Sequence, residues 1–326
     1  MRYFFGVDIG GTKSHALIAD EIGTVVGFGR EGAGNWESVG YDGLQRVLAA
    51  ITDQALRMAG IDRSQIAGAG FGIAGYDWPS QCQPHLDVIQ TLGLEASIEL
   101  VNDAALGIPA GTREGWGVSI VSGTGCNGRG WNADRSRQGR AVGGHGHWSD
   151  EAAGGYDIML RAMRAISLEW TRRGPATALT PAFLQKHGAP SLDEFVEGVY
   201  LDQYTFDISD IMLVFEIARQ GDPEALNVMR WAGDQLGQMA CGVIRQVGLQ
   251  NENFEVVQIG SLYDGHPLIG EQMRQTIQQT APSAQLVRLK VPPVVGAVLL
   301  GMEAVLGKAA YARRAQILAN IQEFEV

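Results

Sequence analysis

Basic residues are in short supply: 25 Lys and Arg stand against 36 Asp and Glu in 326 residues, giving a net charge of −11. A chain with this balance has no basic surface for nucleic acid or an anionic membrane, so neither is expected as a partner. A small anion needs only a local pocket and stays open. Cysteine is scarcer still. Cys82, Cys126 and Cys241 are widely spaced and form no Cys-x-x-Cys pair, which argues against a disulfide framework or a cysteine-ligated zinc and suits a reducing compartment. No apolar run reads as a membrane span, and no secretory leader is expected, because Arg2 leads directly into a strand. A cytoplasmic protein is therefore expected. The composition, 45% hydrophobic and 19% charged, is that of a soluble globular chain long enough for two domains with full cores.

What the chain has in excess is glycine, 44 residues gathered into short turns. The first such turn carries the most information. Tyr3 to Val7 reads as a buried strand that delivers Asp8 and then breaks at Gly10-Gly11-Thr12-Lys13, before a second apolar run from Ala16 to Ala19. Two adjacent glycines let backbone N–H groups approach an anion. Thr12 adds a hydroxyl donor and Lys13 a cation, and Asp8 can hold a hydrated Mg²⁺ that itself meets phosphate. An ordinary hairpin turn has the same local look.

A third strand, Val25–Gly29, completes an antiparallel meander. Apolar spacing predicts helices over Leu44–Ala59 and His85–Leu92, with strands over Ile66–Ile73 and Ile98–Val101 between and after them. A composition shift at Pro109–Gly117 marks a boundary. Beyond it, strand Trp116–Val121, turn Ser122-Gly-Thr-Gly-Cys126 and a strand toward Trp131 repeat the opening pattern, so an internal duplication is expected. Helices follow at Asp157–Arg172, Asp193–Val199, Ile208–Gln220 and Glu224–Val247, the last carrying Gly233, Gly237 and Gly242 as signs of close packing. Strand Phe254–Ile259, helix Leu268–Gln279, strand Leu286–Leu289 and a helix opened by Pro292-Pro293 finish an α/β chain. The expected domains are 1–111 and 112–303, with a final helix of about 304–326 packing back on the first.

Asp103 stands where a strand ends and a helix begins, the edge at which open α/β sheets bind ligands. There it can take the proton of a hydroxyl that attacks a phosphate, or simply cap the helix. Ser122, Gly123, Thr124, Gly125 and Asn127 form a second turn suited to holding β- and γ-phosphates from the side opposite Gly10–Lys13. Gly143–Glu151 holds His145, His147, Asp150 and Glu151, which read either as lining of a polar pocket or as metal ligands. Asn35-Trp36 offers an amide for hydroxyls and an indole to cover a sugar face, or a surface turn anchored by its Trp.

Taken in order, these segments resemble the acetate and sugar kinase/Hsp70/actin superfamily, and within it the branch of N-acetylglucosamine kinases and BadF/BadG/BcrA/BcrD ATPases. Asp8–Lys13 and Ser122–Asn127 are similar to the family's two phosphate motifs, and Val101–Ala105 to the segment with the catalytic aspartate. Val256–Ser261 sits where the adenosine motif belongs, and Pro293–Gly301 resembles the closing helix near the nucleotide. The resemblance implies two ribonuclease H-like (actin-like ATPase) domains with a nucleotide cleft between them, ATP and Mg²⁺ as cofactors, and a homodimer. It implies Asp103 as base, and an adenosine side lined by Gly260, Ser261 and Gly296. It implies a sugar site from Asn35, Trp36, Gly75, Asp103, His145 and Asp150. The loop Gly143–Glu151 departs from the family's Gly-Gly-Trp-Gly pattern, with His145 in place of the aromatic, so the acceptor is open. Iron–sulfur activators of the superfamily need paired cysteines that this chain lacks. The repressor branch needs a helix-turn-helix or a zinc motif, and neither fits. The implied activity is ATP-dependent phosphorylation of an amino sugar such as N-acetylglucosamine or glucosamine. An ATPase driving a partner protein and a non-catalytic sensor are the alternatives.

Overall fold

The computed structural model of the chain describes residues 1–142 and 153–321. β1 (Tyr3–Ile9), β2 (Ser14–Asp20) and β3 (Val25–Glu31) form the expected meander. α1 (Trp36–Ala59) then crosses to β4 (Ile66–Ile73), and α2 (Cys82–Gln90) to β5 (Ser97–Asn102). The sheet runs β3-β2-β1-β4-β5, with β4 and β5 parallel in the chain of pairings from β1. A 3-10 turn, Asp103–Leu106, leads into the short α3 (Gly107–Gly111).

The second half repeats this strand for strand. β6 (Gly117–Ser122), β7 (Cys126–Trp131) and β8 (Gln138–Val142) make a second meander. Helices α4 (Gly155–Trp170), α5 (Leu179–His187), α6 (Leu192–Tyr200), α7 (Ile208–Arg219) and α8 (Pro223–Val247) precede β9 (Glu255–Ile259). α9 (Pro267–Gln278) leads to β10 (Gln285–Arg288), and the sheet runs β10-β9-β6-β7-β8, with β9 parallel to β6 and β10 parallel to β9. β6 thus stands where β1 stands, and β9 and β10 where β4 and β5 stand. The duplication expected from two Gly/Thr turns extends over a whole five-stranded unit. In α8, Gly233 and Gly237 lie against the Ile269 carbonyl and Thr276 of α9, whereas a Cβ at Gly242 would meet nothing within 4 Å, so close packing holds for two of the three.

α10 (Val294–Leu306) covers the first sheet, and α11 (Arg314–Ile321) follows a 3-10 segment. Val294, Val298, Leu299 and Met302 pack with Phe4, Leu17 and Ala19, while Phe5, Val7 and Phe71 pack under α1 with Leu44, Leu48 and Ile51. The sequence puts the return onto the first half at about 304, but this packing begins at Val294. Small residues set the approach: a Cβ at Gly68 or Gly70 of β4 would lie 2.1 Å from the carbonyl oxygens of Gly301 and Ala297, respectively. Val294–Ile321 is long and apolar enough by composition to cross a bilayer, contrary to the expectation of no such run, but 61% of its apolar window is buried inside this fold.

Four further elements differ from the sequence reading. α1 starts at Trp36 rather than Leu44, because Asn35 caps it and the helix continues through a kink at Gly40 (φ 70°). α5 and β8 carry no expectation at all, both being short and lacking a clear period. Asp103 enters a 3-10 turn rather than a regular helix.

Candidate active site

The two hairpins close the equivalent ends of β1 and β6. In the first, the Gly10 N–H donates to the Lys13 carbonyl (3.0 Å) and the Gly34 N–H to the Gly10 carbonyl (3.1 Å), which fixes the turn. In the second, the Gly123 N–H donates to the Gly125 carbonyl (2.9 Å). A Cβ at Gly11, Gly123 or Gly125 would meet no protein atom within 4 Å. Packing does not require glycine at these positions. The bare backbone suits the approach of an anion. Thr12, Lys13 and Thr124 are exposed on the same hairpins.

Ser122 is placed differently from its neighbours. Its hydroxyl is fully buried and donates to the Ala153 carbonyl (2.6 Å), while the Gly155 N–H donates to the Gly123 carbonyl (2.8 Å). These two bonds dock the start of α4 on the second hairpin.

Asp8 and Asp103 stand close enough to feel each other's charge. Burial pushes the Asp8 carboxyl up to about 7, Asp103 adds to the rise and Lys13 opposes it. Burial likewise pushes Asp103 up to about 6; the Ala104 N–H and Arg129 hold against this, and Asp77 adds to it. The helix-cap role open to Asp103 in sequence falls to its neighbour, since the Asn102 Oδ1 accepts from the Ala104 N–H at 3.0 Å. Two carboxyls that resist ionising side by side are a donor set that a dication would relieve, and Mg²⁺ takes one or two carboxylates together with phosphate and water. Among the described residues no three His, Cys, Asp or Glu gather into a cage of their own.

The residues read as acceptor-binding come together in part. The Trp36 Nε1–H donates to the Gly75 carbonyl (2.7 Å), and the indole stacks on Tyr41 with centroids 4.9 Å apart. Gly75 has φ 81°, and a Cβ there would lie 2.5 Å from Asn35 Oδ1, so Asn35, Trp36 and Gly75 form one tight corner. Asn35 Oδ1 accepts from the Glu37 N–H (3.0 Å). His145 and Asp150 lie outside the described residues, as does the rest of the loop Gly143–Glu151.

Gly260 ends β9 at φ 103°, where a Cβ would come within 2.0 Å of the Ser122 carbonyl oxygen. Arg288 holds this corner, donating to the carbonyls of Gly260 (2.7 Å) and Gln258 (3.0 Å) and to Asp264. Ser261 is exposed beside it. Gly296 is placed elsewhere: it is buried in α10, where a Cβ would meet the Leu106 carbonyl oxygen at 2.1 Å, directly behind the Asp103 turn.

Sequence reasoning missed Asp77 and Arg129. Asp77 follows the end of β4, the same kind of position that singled out Asp103. Arg129 is a charged residue between two glycines in a strand, with 8% exposure. They form an ion pair, and Asn102 Nδ2 (3.2 Å) and Asn127 Nδ2 (3.4 Å) also donate to Asp77. Asn127 is thereby turned toward Asp77. Asp77, Asn102 and Arg129 wall a cavity of about 580 Å³ between the halves, together with Trp78, Trp131 and Arg140.

The comparisons agree with this architecture. The model of the BadF/BadG/BcrA/BcrD ATPase family matches residues 5–301. The chain is 25% identical over 306 residues to an N-acetylmuramic acid/N-acetylglucosamine kinase of Clostridium acetobutylicum, covering 92% of this chain and 98% of that one. It is 26% identical over 327 residues to an N-acetyl-D-glucosamine kinase of Dictyostelium discoideum, covering 92% and 97%. A crystal structure of a candidate N-acetylglucosamine kinase from Chromobacterium violaceum superposes with a TM-score of 0.61 at 23% identity, covering 92% of this chain and 99% of the other.

Proposed function

Because the chain belongs to the BadF/BadG/BcrA/BcrD ATPase family and is an ATP-dependent carbohydrate kinase, we propose that it transfers the γ-phosphate of ATP to a hydroxyl of an amino sugar. N-acetylglucosamine and glucosamine are the acceptors in this reading, and Asp103 is the general base. The observation that supports it is that Asp8 lies within reach of the Asp103 charge while the two glycine hairpins, at Gly11 and at Gly123 and Gly125, present backbone that no protein atom covers.

Each residue has a task in this reading. Gly11, Thr12 and Lys13 hold the phosphates from one side, and Thr124 and Gly125 from the other, by N–H, hydroxyl and ammonium donors, while Gly10 and Gly123 shape the two turns through their own N–H bonds. Asp8 orients a hydrated Mg²⁺, which when bound offsets the charge of the phosphates. Asp103 accepts the proton of the attacking hydroxyl at its carboxylate. Gly260 and Ser261 face the adenosine, and Asn35 and Gly75 the sugar. Approach of the two halves excludes water, so that the sugar takes the phosphate. The protein works in the cytoplasm, as a homodimer.

ADP release measured with N-acetylglucosamine, glucosamine, glucose and buffer alone tests this. Turnover is expected with an amino sugar and little without one. Turnover at full rate in buffer alone would replace the kinase with an ATPase that drives a partner protein.

The pH profile follows from the same two carboxyls. Only an ionised Asp103 accepts a proton, so kcat/KM is expected to fall about tenfold per pH unit below a limb at about 6, to which burial raises the Asp103 carboxyl. Stability moves the other way. Carboxyls raised in the folded state bind protons on folding, so acidification from pH 7 toward the ordinary carboxylate range lets these two groups stabilise the fold. Activity is therefore lost between pH 7 and 5.5 while the melting temperature of the free protein does not drop with it. A parallel fall in both would show unfolding instead.

A further inference from the structure

Asp77 collects donors from both halves of the molecule. From the second half come Arg129 and the Nδ2 of Asn127 (3.4 Å), both on β7, the strand that leaves the second hairpin. From the first half comes the Nδ2 of Asn102 (3.2 Å), whose Oδ1 accepts from the Ala104 N–H and so caps the turn that begins at Asp103. The backbone at Asp77 is held by Gln81, whose Oε1 accepts from the N–H groups of Asp77 and Trp78, each at 2.8 Å.

The pair is costly in its setting. The side chains of Arg129 and Asp77 are 9% and 15% exposed, and Arg129 Nε has no hydrogen-bond partner among the described residues. A pair this deep gains little net stability over apolar residues of the same size, because desolvation offsets most of the attraction. Its value lies in geometry. No other carboxylate among the described residues accepts both from the asparagine that caps the Asp103 turn and from the strand that leaves the second hairpin.

We infer that Asp77 and Arg129 are positioning residues for phosphoryl transfer, which lock the Asp103 turn of the first half in register with the second phosphate hairpin. This rests on the kinase reading above. The relay runs Arg129 and Asn127 to Asp77, Asp77 to Asn102, and Asn102 to the backbone of the turn. Losing it lets the base and the phosphate hairpin drift relative to each other, and displacement of an ångström in such a site costs up to about a hundredfold in rate. The hairpins themselves stay formed by their own backbone bonds, so nucleotide affinity is spared.

The experiment compares Asp77→Asn, Arg129→Gln and their combination with the unaltered protein, measuring kcat, KM for each substrate, melting temperature and binding of a non-hydrolysable ATP analogue. Each single change is expected to lower kcat by roughly 10- to 100-fold with nucleotide affinity within about threefold. The double variant is expected to be no slower than the slower single one, because both act through one relay. Arg129→Lys restores part of the rate, since it keeps the charge and loses the fork geometry. Should Arg129→Gln not fold, Asp77→Asn and Arg129→Lys still decide the matter. A kcat within threefold of normal in a folded variant, losses that multiply in the double, or an equal loss of nucleotide binding would each overturn the inference. If the unaltered protein hydrolyses ATP without any sugar, the kinase reading fails instead, and the same variants are then scored on that hydrolysis.

Discussion

Asp103→Asn is expected to lower kcat by roughly a thousandfold while binding of ATP changes by no more than about threefold. The substitution keeps the shape of the side chain and removes only its capacity to take a proton. Its structural cost is small for a specific reason: Asn102 Oδ1 also accepts from the Ala104 N–H, so the turn keeps its cap. The melting temperature should even rise, because the buried carboxylate repels Asp8 and Asp77 and its removal relieves both. Loss of rate together with gain in stability is the pattern of a residue kept for chemistry. A kcat within tenfold of normal would remove Asp103 as base. A lower melting temperature would make it a structural residue.

The second large effect concerns stability. Gly70→Val places branched atoms where even a Cβ lies 2.1 Å from the Ala297 carbonyl oxygen, in the seam between β4 and α10. Backbone stands on both sides, so no side chain can swing aside. Overpacking of this kind costs about 3 kcal/mol or more, and a drop of roughly 6–12 °C in melting temperature is expected. Gly125→Ala is the contrast. Its Cβ would meet nothing within 4 Å, so the melting temperature should stay within about 2 °C while KM for ATP rises about tenfold or more. Thermal melts and steady-state kinetics on the two variants separate a glycine needed by the fold from one needed by the ligand. Equal effects of both on stability would merge the two classes.

The residues differ in how much of this they announce. The opening meander and its repeat are legible because each strand–glycine–strand unit is local, and Gly10–Lys13 and Gly123–Gly125 do end on open hairpins at matching strands. The start of α1 is obscured by Gly40 and Gly43, which look like a turn although the helix passes through with a kink. Gly296 resembles a nucleotide-lining position in sequence, yet its small size serves the contact with Leu106. Asp77 and Arg129 are joined only by folding: they are 52 residues apart and sit in different halves, so no local spacing pairs them. Charges that meet across a domain junction leave no periodic trace.

The position of α10 has a consequence for how the protein is made. β1 and β2 leave the ribosome well before α10, whose Val294, Val298, Leu299 and Met302 pack on one of their faces. During most of synthesis the nascent first sheet must carry Phe4, Leu17 and Ala19 uncovered, while the second half can assemble most of its own core around α8. The half that is synthesised first is thus the half completed last, and its exposed face makes it the part of the newborn chain with most to gain from a chaperone.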